Sequence, residues 1–146
     1  DWVVLTCRHT HAHMNRALVV GIAFEYAVWA RLAALAGGGP LTEARALGGG
    51  ASSRLWNQIK ADVLGIDWVP TVVQEAGVLG DALIAAAATG HVTDLVETIE
   101  RWQGTTEPVQ PRPEAHERYQ RVQAGYRAMS EALTPVFDRI KEADHD

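Results

Sequence analysis

The residues best suited to chemistry stand together at Gly48, Gly49, Gly50, Ser52, Ser53 and Asn57. Consecutive glycines let a backbone turn with positive φ and bring bare N–H groups up to a ligand, which a residue carrying a Cβ does with difficulty. Ser52 or Ser53 can cap a helix that follows. A glycine turn feeding a helix collects unpaired donors at the positive end of the helix dipole, so phosphate is the ligand it accepts most naturally. Ser53 and Asn57 fall one helical turn apart, where a hydroxyl and an amide can face a nucleotide while Leu55, Ile59 and Val63 face elsewhere. The same residues also suit a plain tight connection, with Ser53 as an N-cap and Asn57 as a solvent-exposed amide. No Gly-Lys-Ser/Thr follows the turn, which excludes a P-loop. The dinucleotide fingerprint fails too, because Ser53 replaces its third glycine and the acidic candidate Asp67 precedes the next strand.

Several elements must position that turn. Ala44 to Leu47 reads as a strand before it, and an amphipathic helix from Ser53 to Leu64 ends at Gly65. Trp68 to Val73 is β-rich and pairs beside the first strand, giving a β-α-β unit whose crossover should be right-handed. The glycine turn then lies beyond a strand's carboxyl end, where open α/β sheets gather ligands. Upstream, Thr10 to Ala36 reads as one long helix with Met14, Leu18, Ile22, Glu25, Trp29, Leu32 and Ala36 recurring at helical steps. Ala17 and Gly21 offer a smooth patch on it, and Gly37 to Pro40 stops it. Downstream comes an Ala-rich helix, Glu75 to Thr89, with Leu79, Leu83, Ala86 and Ala87 turned inward and Gly77 and Gly80 permitting close approach. Val92 to Ile99 reads as a short helix, and 101–113 as a linker or an ordered loop. Pro113 opens a final helix with an apolar stripe from Tyr119 through Val122, Tyr126, Met129, Leu133 and Phe137 to Ile140. Pro135 should kink or divide that helix, and the charged tail from Glu142 to Asp146 should fray.

The 146-residue length suits one core, and a net charge of −5 gives no electrostatic footprint for nucleic acid or an anionic membrane. The single cysteine, Cys7, can form no internal disulfide and suits a reducing cytoplasm. No stretch reads as long and apolar enough to span a bilayer, and no signal peptide opens the chain. Trp2 to Leu5 suits an edge strand or a helix lead-in. His9, His11 and His13 have the spacing of metal ligands but lack a further carboxylate or firm thiolate partner, so structural or capping roles are the expectation.

Gly48 to Gly65 resembles the signature of the carboxy-terminal domain of FGGY-type carbohydrate kinases, xylulokinase-like members above all. His9 to Glu25 resembles the family's His-Thr-Arg-Ala-His block, and Glu75 to Ala87 resembles its Glu-Ala…Leu-Gly-Ala-Ala helix. The resemblance runs from about Trp2 to Ile140. It implies an α/β fold: part of an actin-like, ribonuclease H-like ATPase domain, helix-rich, with a small partly parallel sheet and a long carboxy-terminal helix. Residues 1–100 would be the partial nucleotide-binding domain and 114–146 a helical extension. It further implies that Gly49, Gly50 and Ser53, with Asn57 behind them, hold ATP or ADP, and that Ala76, Gly77 and Gly80 wall the adenine. The phosphate loop, the catalytic aspartate, most of the Mg²⁺ coordination and the sugar site would belong to an upstream part that nothing here matches. Phosphoryl transfer to a sugar would be the parent reaction, and the chain alone would be catalytically silent. Relatives carry an acidic residue where this chain has Val20, which bears on its substrate or activity. A reading of another class is a non-catalytic nucleotide-binding or self-association module of the same fold.

Overall fold

The computed structural model describes residues 4–143. In chain order it contains α1 (His11–Ala33), β1 (Glu43–Ala46), α2 (Arg54–Leu64), β2 (Asp67–Pro70), α3 (Ala76–Ala88), α4 (Leu95–Gln103) and α5 (Pro113–Ala143). A π-helical turn, Ala34–Gly38, closes α1, and a 3-10 turn, Gly49–Ser52, leads into α2.

β1 and β2 pair in parallel, with Glu43 opposite Asp67 and Ala46 opposite Pro70. A parallel pair needs a crossover, and α2 supplies it. The strands are short: β2 ends at Pro70, before the expected Val73, and Thr71, whose N–H still donates to Ala46 O at 3.0 Å, also bridges Thr105. The segment after α4 thus lies against the sheet: Trp68 and Val109 exchange backbone hydrogen bonds, Trp68 N–H donating at 3.1 Å and Val109 N–H at 2.8 Å.

Two small cores hold these layers together. Ala23 and Phe24 of α1 meet Ile59 and Val63 of α2, with Tyr119 and Tyr126 of α5 packed alongside. The Phe24 ring stands 5.2 Å from Tyr126 and 6.3 Å from Tyr119, distances typical of favourable aromatic pairs. Ala46, Ala51, Ala61 and Trp68 form the second core beneath the sheet.

The face α1 buries is not the stripe expected of it. Leu18, Ile22, Trp29 and Leu32 are exposed, Trp29 at 68 %. α1 is apolar on most of its circumference, so periodicity alone could not choose a face; packing against α2 and α5 chose Ala23 and Phe24. By length and composition, moreover, His11–Gly38 is apolar enough to cross a membrane, at a mean hydropathy of 1.6, which corrects the expectation drawn from the sequence. Open space surrounds the Gly21 Cα, so the smooth patch meets no element among the described residues.

Other boundaries moved for local reasons. α4 starts later than expected because Asp94 caps it by accepting from Glu97 N–H at 2.9 Å, and it runs on to Gln103, where Gly104 at φ +56° ends it. α5 runs continuously through Pro135 and is not divided by it. Its stripe is covered only in part: Tyr119, Tyr126, Met129 and Leu133 are half-buried, whereas Val122, Phe137 and Ile140 are exposed. α3 does carry Leu79, Leu83, Ala86 and Ala87 as its less exposed positions. Leu5 lies in neither strand nor helix; Trp2 and Val3, and the last three residues of the tail, fall outside the described residues.

Candidate functional site

The site is the turn between β1 and α2. Gly48 takes φ +79°, which favours glycine, and its N–H donates to Gln74 O at 3.0 Å, tying the turn to the chain beyond β2. Ala51 N–H closes back on Gly48 O at 2.9 Å. Gly49 and Gly50 are exposed, and no described residue accepts from their N–H groups. Nothing lies within 4 Å of a Cβ built on Gly49, and only Trp56 Nε1, at 3.8 Å, approaches one built on Gly50. Two amides without an acceptor among the described residues therefore stand in an exposed turn just ahead of α2, a place where a backbone can take an anion.

Ser53 is the N-cap of α2, its Oγ accepting from Trp56 N–H at 3.3 Å. Ser52 instead donates to Gly49 O at 2.7 Å and braces the turn. Asn57 is not a solvent amide: it is 3 % exposed, and its Nδ2 donates to Ala51 O at 2.7 Å. It thereby fixes the 3-10 turn from below. Its Oδ1 is buried with no protein partner among the described residues. Unsatisfied buried acceptors are uncommon and draw attention to the place where they occur.

α2 carries two further buried polar groups that sequence reasoning missed. Asp62 is fully enclosed, accepting from Arg112 N–H at 2.8 Å and from Arg112 Nη2 at 2.6 Å. Burial alone would raise its pKa, but the Arg112 bonds, the Gln58 bond and the Arg112 charge outweigh burial and hold it below the usual carboxylate range. Lys60 is 5 % exposed and sits among Tyr26, Trp56 and Trp68. Burial lowers its pKa to about 8. The available signal was its spacing, since Lys60 falls seven residues after Ser53 and four after Trp56, on one helix face. Leu47, Gly50, Ser53, Trp56 and Lys60 share a recess of about 530 Å³ with Val19 and Tyr26 of α1.

The remaining candidates lie elsewhere. Thr10 N–H donates to His13 Nδ1 at 3.1 Å and Thr6 N–H to His9 Nδ1 at 3.0 Å, so these histidines brace the start of α1. Val20 is half-buried against the Phe24 core and lines a separate groove between α1 and α5. Gly77 and Gly80 have no atom within 4 Å of a built Cβ, so neither serves close packing among the described residues.

Solved structures share this architecture. The xylulose kinase of Lactobacillus acidophilus superposes with a TM-score of 0.79 at 25% identity, covering 96% of this chain and 28% of its own. The xylulose kinase of Rhodospirillum rubrum gives 0.78 at 26%, over 94% and 28%. The fold is part of an actin-like ATPase, helix-rich with a small parallel sheet. Among curated relatives, a glycerol kinase of Methylibium petroleiphilum is 36% identical over 139 residues, 91% of this chain and 27% of its own. An autoinducer-2 kinase of Escherichia coli is 43% identical over 76 residues, 50% of this chain and 14% of its own. The profile of the FGGY family of carbohydrate kinases, C-terminal domain, matches residues 3–89. The chain belongs to that family, and it spans about a quarter of the length of the glycerol kinase it matches.

Proposed function

We propose that this chain is the nucleotide-holding portion of an ATP-dependent carbohydrate kinase of the xylulose kinase type, working in the cytoplasm. The observation that carries this reading is the pair of exposed amides at Gly49 and Gly50, without an acceptor among the described residues, in the 3-10 turn that leads into α2 of an FGGY-family chain. Those amides would hold phosphate oxygens. Ser53 would border the ligand from its capping position, and Asn57 would keep the turn in shape through Ala51 O. ATP supplies the phosphoryl group that the sugar hydroxyl accepts; this chain's residues bind and orient the nucleotide. Mg²⁺, the catalytic base and the sugar would be held mainly by the remainder of the kinase. Residues 1–100 would form the partial nucleotide domain, 101–113 a linker or ordered loop, its first three residues being the end of α4 and its last the first of α5, and 114–146 a helical extension.

Calorimetric titration of the purified 146-residue chain with ATP and ADP tests this. Weak, saturable binding is expected, and Gly50→Glu should weaken it at least tenfold while leaving the circular dichroism unchanged, because a carboxylate would then face the phosphates. Unaltered affinity in Gly50→Glu would remove the glycine turn from the site. A coupled assay with D-xylulose should give no turnover above background.

A second reading is favoured by the exposed row Leu18, Ile22, Trp29 and Leu32 on α1: a module of the same fold that self-associates without catalysis. Tight oligomers indifferent to nucleotide would support it over the kinase reading.

A further inference from the structure

Lys60 is the only buried cation among the described residues, at 5 % exposure. Its Nζ lies 4.6 Å from the Trp56 ring centroid, 4.7 Å from that of Trp68 and 5.1 Å from that of Tyr26. Aromatic rings attract a cation through their quadrupoles yet bring no opposite charge. No carboxylate pairs with it: the ion pairs among the described residues are Arg45 with Glu43 and Arg112 with Asp62. A buried ammonium without a counter-charge is costly unless something from outside completes it. Lys60 lines the recess that also takes in Gly50 and Ser53, so an anion entering there finds a cation within and an unpaired amide at the glycine turn.

We infer that Lys60 is a phosphate-binding residue, its ammonium completing the anion site begun by the Gly50 amide and taking a phosphate oxygen of the nucleotide. The inference rests on the nucleotide reading above. Three rings confine the side chain, so little conformational freedom remains to be lost when the anion arrives. The lowered pKa, about 8, still leaves the amine mostly protonated at neutral pH, and a bound phosphate should drive it back up.

The chain has just two lysines, Lys60 and Lys141, so ¹³Cε-lysine labelling resolves both by NMR, with Lys141 as internal control. Titrations with inorganic triphosphate, ATP and adenosine are the arms. Triphosphate and ATP should each raise the Lys60 pKa by about one unit or more and leave Lys141 unmoved. Lys60→Met should weaken ATP by about tenfold or more, leave adenosine unchanged, and Lys60→Arg should recover part of the loss. ATP binding with the Lys60 signal unmoved would overturn the inference while sparing the nucleotide reading. A Lys60 response to triphosphate with no binding of ATP or adenosine would keep the anion site and sink the nucleotide reading. No response to either phosphate compound overturns the inference. The NMR titration uses the unmutated chain, so it decides the matter even where Lys60→Met fails to fold.

Discussion

Lys60 shows how much a single buried residue can couple to solution conditions. Its pKa falls from 10.5 to about 8 on folding because burial disfavours the charged form. Between those values the unfolded chain still holds the proton that the folded chain has released, so folding stability rises with pH in that window. Tyr126 works the other way at higher pH: burial, and then its hydrogen bond to Glu25, raise its pKa above 10.0. Denaturant melts between about pH 8 and 9.5 therefore isolate the lysine, and should gain roughly 1–2 kcal/mol across the window, each unit being worth at most about 1.4. Lys60→Met should show no such rise. Asn57, by contrast, acts through its neighbours, since its Nδ2 holds Ala51 O and so shapes the backbone that presents the Gly49 and Gly50 amides.

Among the elements, α2 organises the molecule, and both of its ends are specified by one residue type. Ser53 caps its start and Gly65 ends it at φ +71°, where a β-carbon is strained. A Cβ built on Gly65 would also stand 2.5 to 2.9 Å from the His116 ring. Gly65→Ala should consequently destabilise the chain by about 1–3 kcal/mol in chemical denaturation, since conformational strain and crowding act together. Asp62, near the same end, joins α2 to the segment before α5. Its depressed pKa contributes stability that is present above the ordinary carboxylate value and lost as pH falls through the folded one. Asp62→Asn should cost about 1–3 kcal/mol at pH 7 and flatten the acid limb of the stability profile. The cost stays below that of a fully buried pair because Arg112, 62 % exposed, can turn to water.

For the whole molecule, the deciding quantity is how much apolar surface stays open. Trp29, Leu32 and Leu35 of the first helix and its closing turn, at 68 %, 50 % and 72 % exposure, leave a patch that water tolerates poorly. Light scattering on the isolated chain should detect concentration-dependent self-association, and the double change Trp29→Glu and Leu32→Glu should abolish it while sparing ATP affinity. The glycine turn, the capping Ser53, the strand-helix-strand order and the Gly65 stop were readable in advance, because each depends on local backbone chemistry that a residue type dictates within a few positions. The family was readable for the same reason, as its glycine signature lies in that local stretch. Which face of α1 is buried, the inward turn of Asn57, the cage around Lys60 and the Asp62 pair with Arg112 were not. The α1 face, the Lys60 cage and the Asp62 pair depend on residues 24, 26, 68 and 112 arriving beside α2, which only tertiary packing achieves; the Asn57 bond spans just six residues but needs the 3-10 turn to fold Ala51 back over the helix.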